Sequence, residues 1–194
     1  MAWEQTEQAQ VYGRSILQSE RLRLRGLQDA DLPTLEDWWF DDEIMALQSG
    51  VVRPMPESAM RETFREWSAN KDDGANAFCV EHLDSGDLVG HVALWGATLA
   101  SGAATMGIVL GGDHQGKGYG VEAVRLMTRY GFDEMRLHRI EIRAWAYNTR
   151  ALATYTKAGY LEEGRRREVV FHDGAWHDEV VLALLAGEWR SGGG

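Results

Sequence analysis

A glycine-rich segment past the middle of the chain constrains the fold more than any other feature. Residues 111–120 read Gly-Gly-Asp-His-Gln-Gly-Lys-Gly-Tyr-Gly, between a short apolar run and a segment of helical periodicity. Such a segment lets the backbone approach an anion, and its N–H groups, with those of the first helical turn, form an anion-binding nest. Lys117 adds a positive charge. The segment predicts a phosphate-binding loop between a strand and a helix, or, alternatively, a tight turn that needs glycine only for its conformation.

Composition indicates one globular domain. The chain has 194 residues, 44% hydrophobic and 26% charged, and no repeat or linker-like tract, so we expect a domain over 1–190 and a disordered tail over 191–194. The net charge of −10 disfavours nucleic acid as a partner. Because neither a leader-like start nor an apolar run of about 20 residues occurs, we expect a cytoplasmic protein without a membrane partner.

The single cysteine, Cys79, excludes an internal disulfide and a cysteine-rich zinc site. We therefore predict a buried structural thiol there, and no metal.

Hydrophobic periodicity predicts an α/β (α+β) architecture: one mixed, mostly antiparallel, twisted sheet with helices on both faces. Strands are predicted at 21–25, 77–81, 88–94, 105–110, 139–145, 169–171 and 179–185. Helices are predicted at 29–39 and 57–69, from the glycine-rich segment through 131, and from 148 to a glycine stop at 159. Antiparallel strands come first, followed by strand, helix, strand, helix, strand.

Three classes of protein use glycine-rich loops of this kind. A Walker A loop requires a hydroxyl directly after the lysine to hold Mg²⁺, and Gly118 occupies that position. A dinucleotide-binding fingerprint belongs in an early strand–helix unit, whereas this loop lies past mid-chain. Both nucleotide-binding interpretations are disfavoured, and the third class binds acyl-CoA.

Two motifs carry a resemblance to the GCN5-related N-acetyltransferases that extends over nearly the whole chain. Gln115-x-x-Gly118-x-Gly120 matches the acyl-CoA loop of that family. Residues 148–160 match its second signature, an asparagine followed seven residues later by Tyr155 and then by a glycine-aromatic pair. The segments 22–25, 29–32 and 173–178 look like the branch that includes the acetyltransferases of ribosomal-protein N-termini.

The resemblance implies a single domain that transfers an acetyl group from acetyl-CoA directly to an amine. A protein or peptide N-terminal α-amine is the favoured acceptor, and a polyamine, amino acid or aminoglycoside is the other candidate. Homodimers are common in families like this one, so a second copy of the chain is also a candidate partner. The alternative function is a regulatory module that binds acyl-CoA with little or no turnover.

The resemblance also implies roles for individual residues. Strand backbone would pair with the pantetheine arm, the loop and first helical turn would cradle the pyrophosphate, Asn148 would bind the pantetheine amide region, and Tyr155 would protonate the leaving thiolate. The predicted cofactor-binding residues are Ile108, Val109, Leu110, Gln115, Gly116, Lys117, Gly118, Tyr119, Gly120, Val121, Asn148 and Tyr155, with Tyr155 also the predicted catalytic residue. The plainer alternatives are Asn148 as a helix cap and Tyr155 as a core aromatic.

The general base is where this chain departs from the pattern. Members of the branch often carry a glutamate just before the strand, and this chain has Thr105 there. Substitute bases acting through water would be Glu81, His82, His91 or Glu141. The departure favours an acceptor of low pKa, because at pH 7 deprotonation costs about 1.4 kcal/mol for an α-amine of pKa about 8 and about 4.6 kcal/mol for a lysine-like amine.

Three further features have less specific interpretations. Arg165–Arg167 predict a solvated charged face or, alternatively, a contact to the 3′-phosphate or adenine side of the cofactor or to an acidic peptide. Trp38, Trp39 and Trp95 are predicted core residues, with a role as cleft walls as the alternative. Cys79 lies outside the motifs and is not predicted to be a nucleophile.

Overall fold

The fold is described from a computed structural model, which covers residues 3–53, 55–98 and 100–192. The helices are α1 (Thr6–Ser15), α2 (Leu32–Phe40), α3 (Asp42–Gln48), α4 (Glu57–Trp67), α5 (Tyr119–Asp133), α6 (Thr149–Ala158) and α7 (Ala186–Ser191). The strands are β1 (Leu22–Arg25), β2 (Asn76–His82), β3 (Leu88–Trp95), β4 (Ala103–Leu110), β5 (Arg139–Trp145), β6 (Leu161–His172) and β7 (Ala175–Leu185). One-turn 3₁₀ helices lie at Asp29–Asp31 and Gly112–His114.

All seven strands form one sheet in the order β1-β2-β3-β4-β5-β7-β6. Every neighbouring pair is antiparallel except β4 and β5, which run parallel. A parallel pair needs a crossover connection, and α5 provides it. The predicted fold class, a mixed and mostly antiparallel sheet with helices on both faces, is confirmed.

Strand alternation divides the sheet into two differently covered faces. On the first, which we call the α5 face, residues such as Met106, Ile140 and Ile142 join Val124 of α5 and Ala158 of α6 in the main core. The residues between them point the other way.

On the opposite side, which we call the α2 face, Leu35 of α2 and Phe64 of α4 pack with Cys79 of β2 in a second cluster. This cluster covers the β1–β3 half of the sheet. The β5–β7 half of the α2 face carries charged side chains instead, among them Arg139, Glu141 and Glu179.

Three elements differ from the prediction because none of them carries a clear apolar periodicity. Helix α1 has no buried residue and is absent from the sequence prediction; the guanidinium of Arg129 in α5 donates to carbonyl oxygens at its C-terminal end. Helix α3 is also absent from it, and Asp41 caps that helix by accepting from the N–H groups of Glu43 and Ile44. The last hairpin is longer than predicted because β6 extends over exposed, charged residues that carry no apolar alternation.

Ser191, the first residue of the predicted tail, lies in helix α7. Glu188 accepts a hydrogen bond from the N–H of Leu185 and so caps α7, and the Ser191 hydroxyl donates to the carbonyl oxygen of Gly187 inside that helix. The rest of the predicted tail, 193–194, lies outside the described residues.

Candidate acetyl-transfer site

The parallel strands at the centre of the sheet separate and leave an opening. The described residues of β4 and β5 pair only over Ala103–Met106 and Arg139–Ile142. Beyond that point Gly107–Leu110 remains paired with β3, and Arg143–Trp145 remains paired with β7. The two facing edges therefore present backbone groups without sheet partners, and the predicted residues Ile108, Val109 and Leu110 lie on one of them.

The glycine-rich segment connects this edge to α5 as the sequence predicts. Gly116 and Gly118 have φ of +74° and +84°, a left-handed conformation that glycine adopts at little cost. Gly118 is the N-cap residue of α5, so the N–H groups of Tyr119, Gly120 and Val121 open the helix, where intrahelical acceptors are lacking. A Cβ on Gly120 would come within 3.2 Å of side chains of both Leu110 and Thr154, so only a small residue brings α5 this close to β4 and α6.

A partly buried ion pair that the sequence does not indicate fixes the loop from outside. The Arg21 guanidinium contacts the Glu122 carboxylate at 2.6 Å, and Glu122 also accepts from the Ser19 hydroxyl and the Arg21 N–H. Burial alone would raise the pKa of Glu122, but these hydrogen bonds outweigh it and the pKa is lowered. Arg21 also donates to the Lys117 carbonyl oxygen and lies 4.8 Å from the Tyr119 ring centroid. Its partner is 101 residues away, which is why no local pattern reveals it.

Two polar side chains of the loop, those of Gln115 and Lys117, differ in their contacts. The Gln115 amide donates to the Leu110 carbonyl oxygen at 3.2 Å, which fastens the loop to the end of β4. Lys117 is exposed, and its ammonium makes no ion pair with any described residue. Gln115 is therefore positioned to shape the loop, and Lys117 to supply charge.

The second motif places Asn148 at the start of helix α6, shortly after the end of β5, and Tyr155 further along the same helix in the main core. The Asn148 side chain accepts from the Ala151 N–H at 3.1 Å, so it caps α6, and donates to the Leu47 carbonyl oxygen at 3.3 Å. Tyr155 is 7% exposed, and its hydroxyl makes no hydrogen bond to any residue that the structure describes. Burial raises the pKa of Tyr155 to about 12, so the phenol keeps its proton at neutral pH.

A segment of α2 and α3, residues 38–48, bridges the opening on the α2 face. At one end, a Cβ on Gly111 would overlap the Trp38 indole, so α2 rests directly on the end of β4. At the other end, the Tyr147 hydroxyl donates to the Ala46 carbonyl oxygen at 2.9 Å, beside the contact between Asn148 and Leu47. We call residues 38–48 the α2–α3 bridge.

The four predicted substitute bases occupy very different environments. Arg25 and Arg23 donate to Glu81; burial alone would raise its pKa, but these hydrogen bonds lower it. His91 is buried behind the α4 layer with Nε2 2.8 Å from the Ser68 hydroxyl, and burial lowers its pKa to about 4.

The other two candidates lie on the surface of the sheet. The His82 ring packs edge-on against Tyr119, near the loop. Glu141 is opposite Thr105 in the parallel register, and its carboxylate oxygens contact Arg143 at 2.7 Å and Arg139 at 3.3 Å. Of the four, Glu141 is the one on the α2 face at the base of the opening.

Trp95 corrects a sequence prediction. The sequence predicts a core residue, but Trp95 is 46% exposed, and its indole lies over Gly107, where a Cβ would come within 2.9 Å of the ring. The ring lies beyond the edge of the α2–α4 cluster because Trp95 ends β3 on the α2 face, where Gly107 leaves space. Trp38 and Trp39 do pack against that cluster.

Two other predictions concern groups away from the opening. Cys79 is fully buried, as predicted, and burial raises the pKa of its thiol to about 12, which makes it unsuitable as a nucleophile. Arg165 and Arg166 lie on β6, three strands from β4. Arg165 pairs with Glu162 on the same strand, and Arg166 pairs with Glu179 of β7. The arginine run is a charged sheet surface, and its alternative contact with the cofactor is not supported because β5 and β7 lie between.

No group of three or more histidine, cysteine or acidic side chains suited to a metal ion occurs among residues 3–53, 55–98 and 100–192. In the same part of the chain, every helix is too short or too polar to cross a membrane.

Known proteins are similar to this chain in both sequence and fold. The family described as "Acetyltransferase (GNAT) domain" matches residues 21–161. The uncharacterized N-acetyltransferase YnaD of Bacillus subtilis (strain 168) is 29% identical over 174 residues, which are 89% of this chain and 98% of that protein. The putative ribosomal N-acetyltransferase YdaF of the same strain is 32% identical over 140 residues, which are 70% of this chain and 75% of that protein.

Among solved structures, the spermidine N-acetyltransferase from Vibrio cholerae in complex with CoA and spermine aligns with a TM-score of 0.79 and 24% identity, over 89% of this chain and 99% of that chain. The chain therefore belongs to the GNAT family, and it is an acyltransferase that moves an acetyl group from acetyl-CoA to an amine.

Proposed function

We propose that the enzyme acetylates α-amino groups, at protein or peptide N-termini, by direct transfer in a ternary complex. The observation that carries the proposal is the opening between β4 and β5, with an ion-paired carboxylate at its base on the α2 face and a buried phenol on helix α6, in the core of the α5 face. Acid and base groups on opposite faces suit a reaction in which the two reactants meet through the sheet.

The α5 face fits the co-substrate. The nest at the start of α5, with Lys117 and Arg21 beside it, suits the pyrophosphate, because donors and positive charge converge there in a chain of net charge −10. The free edge of Gly107–Leu110 suits the amide groups of the pantetheine arm, since an extended chain can add to an unpaired strand edge. Acetyl-CoA supplies the acetyl group as a thioester.

Tyr155 serves as the general acid. As the amine nitrogen forms its bond to the acetyl carbon and the carbon–sulfur bond breaks, the phenol gives its proton to the departing sulfur. Its raised pKa keeps that proton available over the physiological range. A backbone N–H on the free edge of β4 polarises the carbonyl oxygen.

Glu141 serves as the group that receives the proton of the amine, through a water molecule. Its position opposite Thr105 gives the base of the opening a carboxylate, but two arginines hold that carboxylate in place. A base so engaged suits an acceptor that is already partly neutral. An α-amine of pKa about 8 is roughly one-tenth neutral at pH 7, whereas a lysine-like amine is neutral in about one molecule in 2,500.

Polyamines fit this surface less well. On the β5–β7 half of the α2 face, Glu141 and Glu179 are each paired with arginine, so neither offers a free carboxylate to a polycation. Relatives of the chain include both a spermidine N-acetyltransferase of Vibrio cholerae and a ribosomal protein uS5-alanine N-acetyltransferase of Escherichia coli (strain K12). The paired carboxylates favour a protein N-terminal amine over a polyamine as the acceptor.

The experiment is CoA release from acetyl-CoA across Ser-, Ala- and Met-initiated peptides, their N-blocked counterparts, spermidine and an aminoglycoside, with acetyl-CoA binding measured in parallel. We expect turnover of free N-terminal peptides, an apparent pKa near that of the amine, and no turnover of blocked peptides. Preferred turnover of spermidine would overturn the α-amine assignment. Binding of acetyl-CoA without turnover of any amine would instead support the regulatory module.

We further propose that the enzyme self-associates. One structure that it resembles is the dodecameric spermidine N-acetyltransferase of Vibrio cholerae, with a TM-score of 0.73. Light scattering on the purified chain would show a mass above 21.8 kDa if this holds, and a monomer at assay concentration would contradict it.

A further inference from the structure

A cavity of about 290 Å³ lies between the α2–α3 bridge and the segment 49–55 that follows it. Its apolar walls come from Trp39, Met45, Val51 and Met55. Of the described residues that line it, only Arg53 is charged. The mechanism set out above uses none of these side chains.

The position of the cavity follows from contacts at its rim. Met45 and Ser49 line it, and they flank Ala46 and Leu47, whose carbonyl oxygens hold the end of β5. At 1.5 Å of rise per helical residue, these wall residues lie within roughly 3 to 5 Å along the α3 axis of that contact. The Ser49 carbonyl oxygen also lies 3.2 Å from Nε2 of His172 in the last hairpin. The cavity thus adjoins the segment that spans the opening on the α2 face, the face that we propose for the acceptor.

Arg53 gives the cavity its chemical character. Its backbone N–H donates to Sδ of Met45 at 3.2 Å, which turns the chain back over α3. Its guanidinium is exposed and makes no ion pair with any described residue, although the chain has 30 acidic and 20 basic side chains. An unpaired guanidinium beside an apolar cavity repels polycations and can bind a carboxylate through two parallel hydrogen bonds.

We propose that this cavity binds the part of the acceptor that follows the reacting amine, and that it selects an apolar side chain together with a carboxylate. The carboxylate has two sources: the α-carboxyl of a free apolar amino acid, or an acidic side chain next to an apolar N-terminal residue of a peptide. The inference rests on the proposed α-amine function and makes it specific. It places the apolar side chain among Trp39, Met45, Val51 and Met55, and the carboxylate on Arg53.

The test compares kcat/KM for matched acceptors with the wild-type enzyme and with Arg53→Glu. The acceptors are methionine, methionine amide, and the amides of Met-Glu, Met-Gln and Gly-Glu. We expect Met-Glu to exceed Met-Gln by about tenfold, the factor that corresponds to 1.36 kcal/mol, and Arg53→Glu to abolish or reverse that preference. A higher kcat/KM for free methionine than for the amide of Met-Glu would identify the α-carboxyl as the source of the carboxylate. Met-Glu exceeding Gly-Glu would confirm the apolar wall.

The matched control is Arg14→Glu, which changes an exposed arginine in the last turn of α1 and should leave every ratio unchanged. If the ratio of kcat/KM for Met-Glu to that for Met-Gln differs by less than twofold between wild type and Arg53→Glu, the proposal is overturned, even where all α-amines are turned over rapidly. If no amine is turned over, the proposed function itself fails. The cavity is then judged by binding of N-acetyl-Met-Glu and N-acetyl-Met-Gln to the CoA-loaded enzyme, where equal affinity overturns it.

Discussion

The two faces of the central opening are constructed in opposite ways. On the α5 face, one contiguous run of chain forms the loop, its positive φ glycines and the first turn of α5. On the α2 face, the site is assembled from the α2–α3 bridge, Glu141 of β5 and Trp95 of β3. The face that we propose for the co-substrate is thus local in sequence, and the face that we propose for the acceptor is dispersed, which suits one donor used with different acceptors.

The largest effect that separates the two faces is expected from Tyr155→Phe. Removing the phenolic proton donor should lower kcat by about 100-fold or more, within the range for general acids. Affinity for acetyl-CoA and the free energy of unfolding should change little, since the hydroxyl has no hydrogen-bond partner among the described residues. Steady-state kinetics with calorimetric binding would check this. Affinity lost in parallel with kcat would mean that Tyr155 acts by packing.

Acid should weaken the layer behind the acceptor face before it affects the loop. His91 is neutral in the fold with a pKa of about 4, whereas an unfolded histidine titrates near 6.5. The unfolded state therefore binds more protons between these values, and stability that is present above pH 6.5 is lost as the pH falls. We expect a loss of about 2 kcal/mol between pH 6.5 and 4.5.

Urea unfolding at several pH values would measure this slope. His91→Gln should flatten it, whereas His138→Gln, which changes an exposed histidine, should not. The carboxylates of Asp31 and Glu81 have pKa values lowered from 3.8 and 4.5, so their contributions are lost mainly below this window and equally in the two histidine variants. An unchanged slope in His91→Gln would contradict the assignment.

A pair of glycines tests whether the loop acts through its backbone. Gly116 and Gly86 both have φ of +74°. At both positions, no neighbouring heavy atom lies within 4 Å of where a Cβ would be. Alanine should therefore strain each backbone by a similar amount, about 1 kcal/mol. Gly116→Ala should raise KM for acetyl-CoA by about tenfold, and Gly86→Ala, in the β2–β3 turn, should alter only stability. Equal KM values for acetyl-CoA in the two variants would show that the backbone of the loop does not form an anion-binding nest.

The smallest effect is expected from Glu141→Gln on the acceptor face. An amide cannot accept the proton, so kcat/KM for an α-amine should fall about fivefold at pH 7 and recover near pH 9, where the amine of pKa about 8 is already neutral. Glu163→Gln is the matched control, because Glu163 also pairs with Arg139 but lies on β6. A deficit that persists at pH 9 would indicate a structural role for Glu141.

The sequence predicts the α5 face well because its signals are local. Glycine spacing, helical periodicity in α5 and the cap at Asn148 each depend on neighbours within a few residues. The sheet and its helices on both faces follow from the same kind of periodicity.

The other features depend on contacts between distant residues. Arg21 pairs with Glu122 across 101 residues, and Glu141 meets Thr105 only through a parallel register. The core prediction for Trp95 rests on the usual burial of tryptophan, and only the position of Gly107 shows that its ring lies at the surface. Helix α1, which has no buried residue, offers no apolar stripe to detect.

The contact between Gly111 and Trp38 has a consequence for substrate binding. Gly111 begins the loop that we propose for the co-substrate, and Trp38 begins the α2–α3 bridge on the face that we propose for the acceptor, with no space for a Cβ between them. A shift of the loop upon ligation therefore displaces the bridge, so each ligand should alter the affinity of the other by the same factor. The two substrates should accordingly bind cooperatively, so that the Kd of either one measured alone differs from its Kd in the presence of the other.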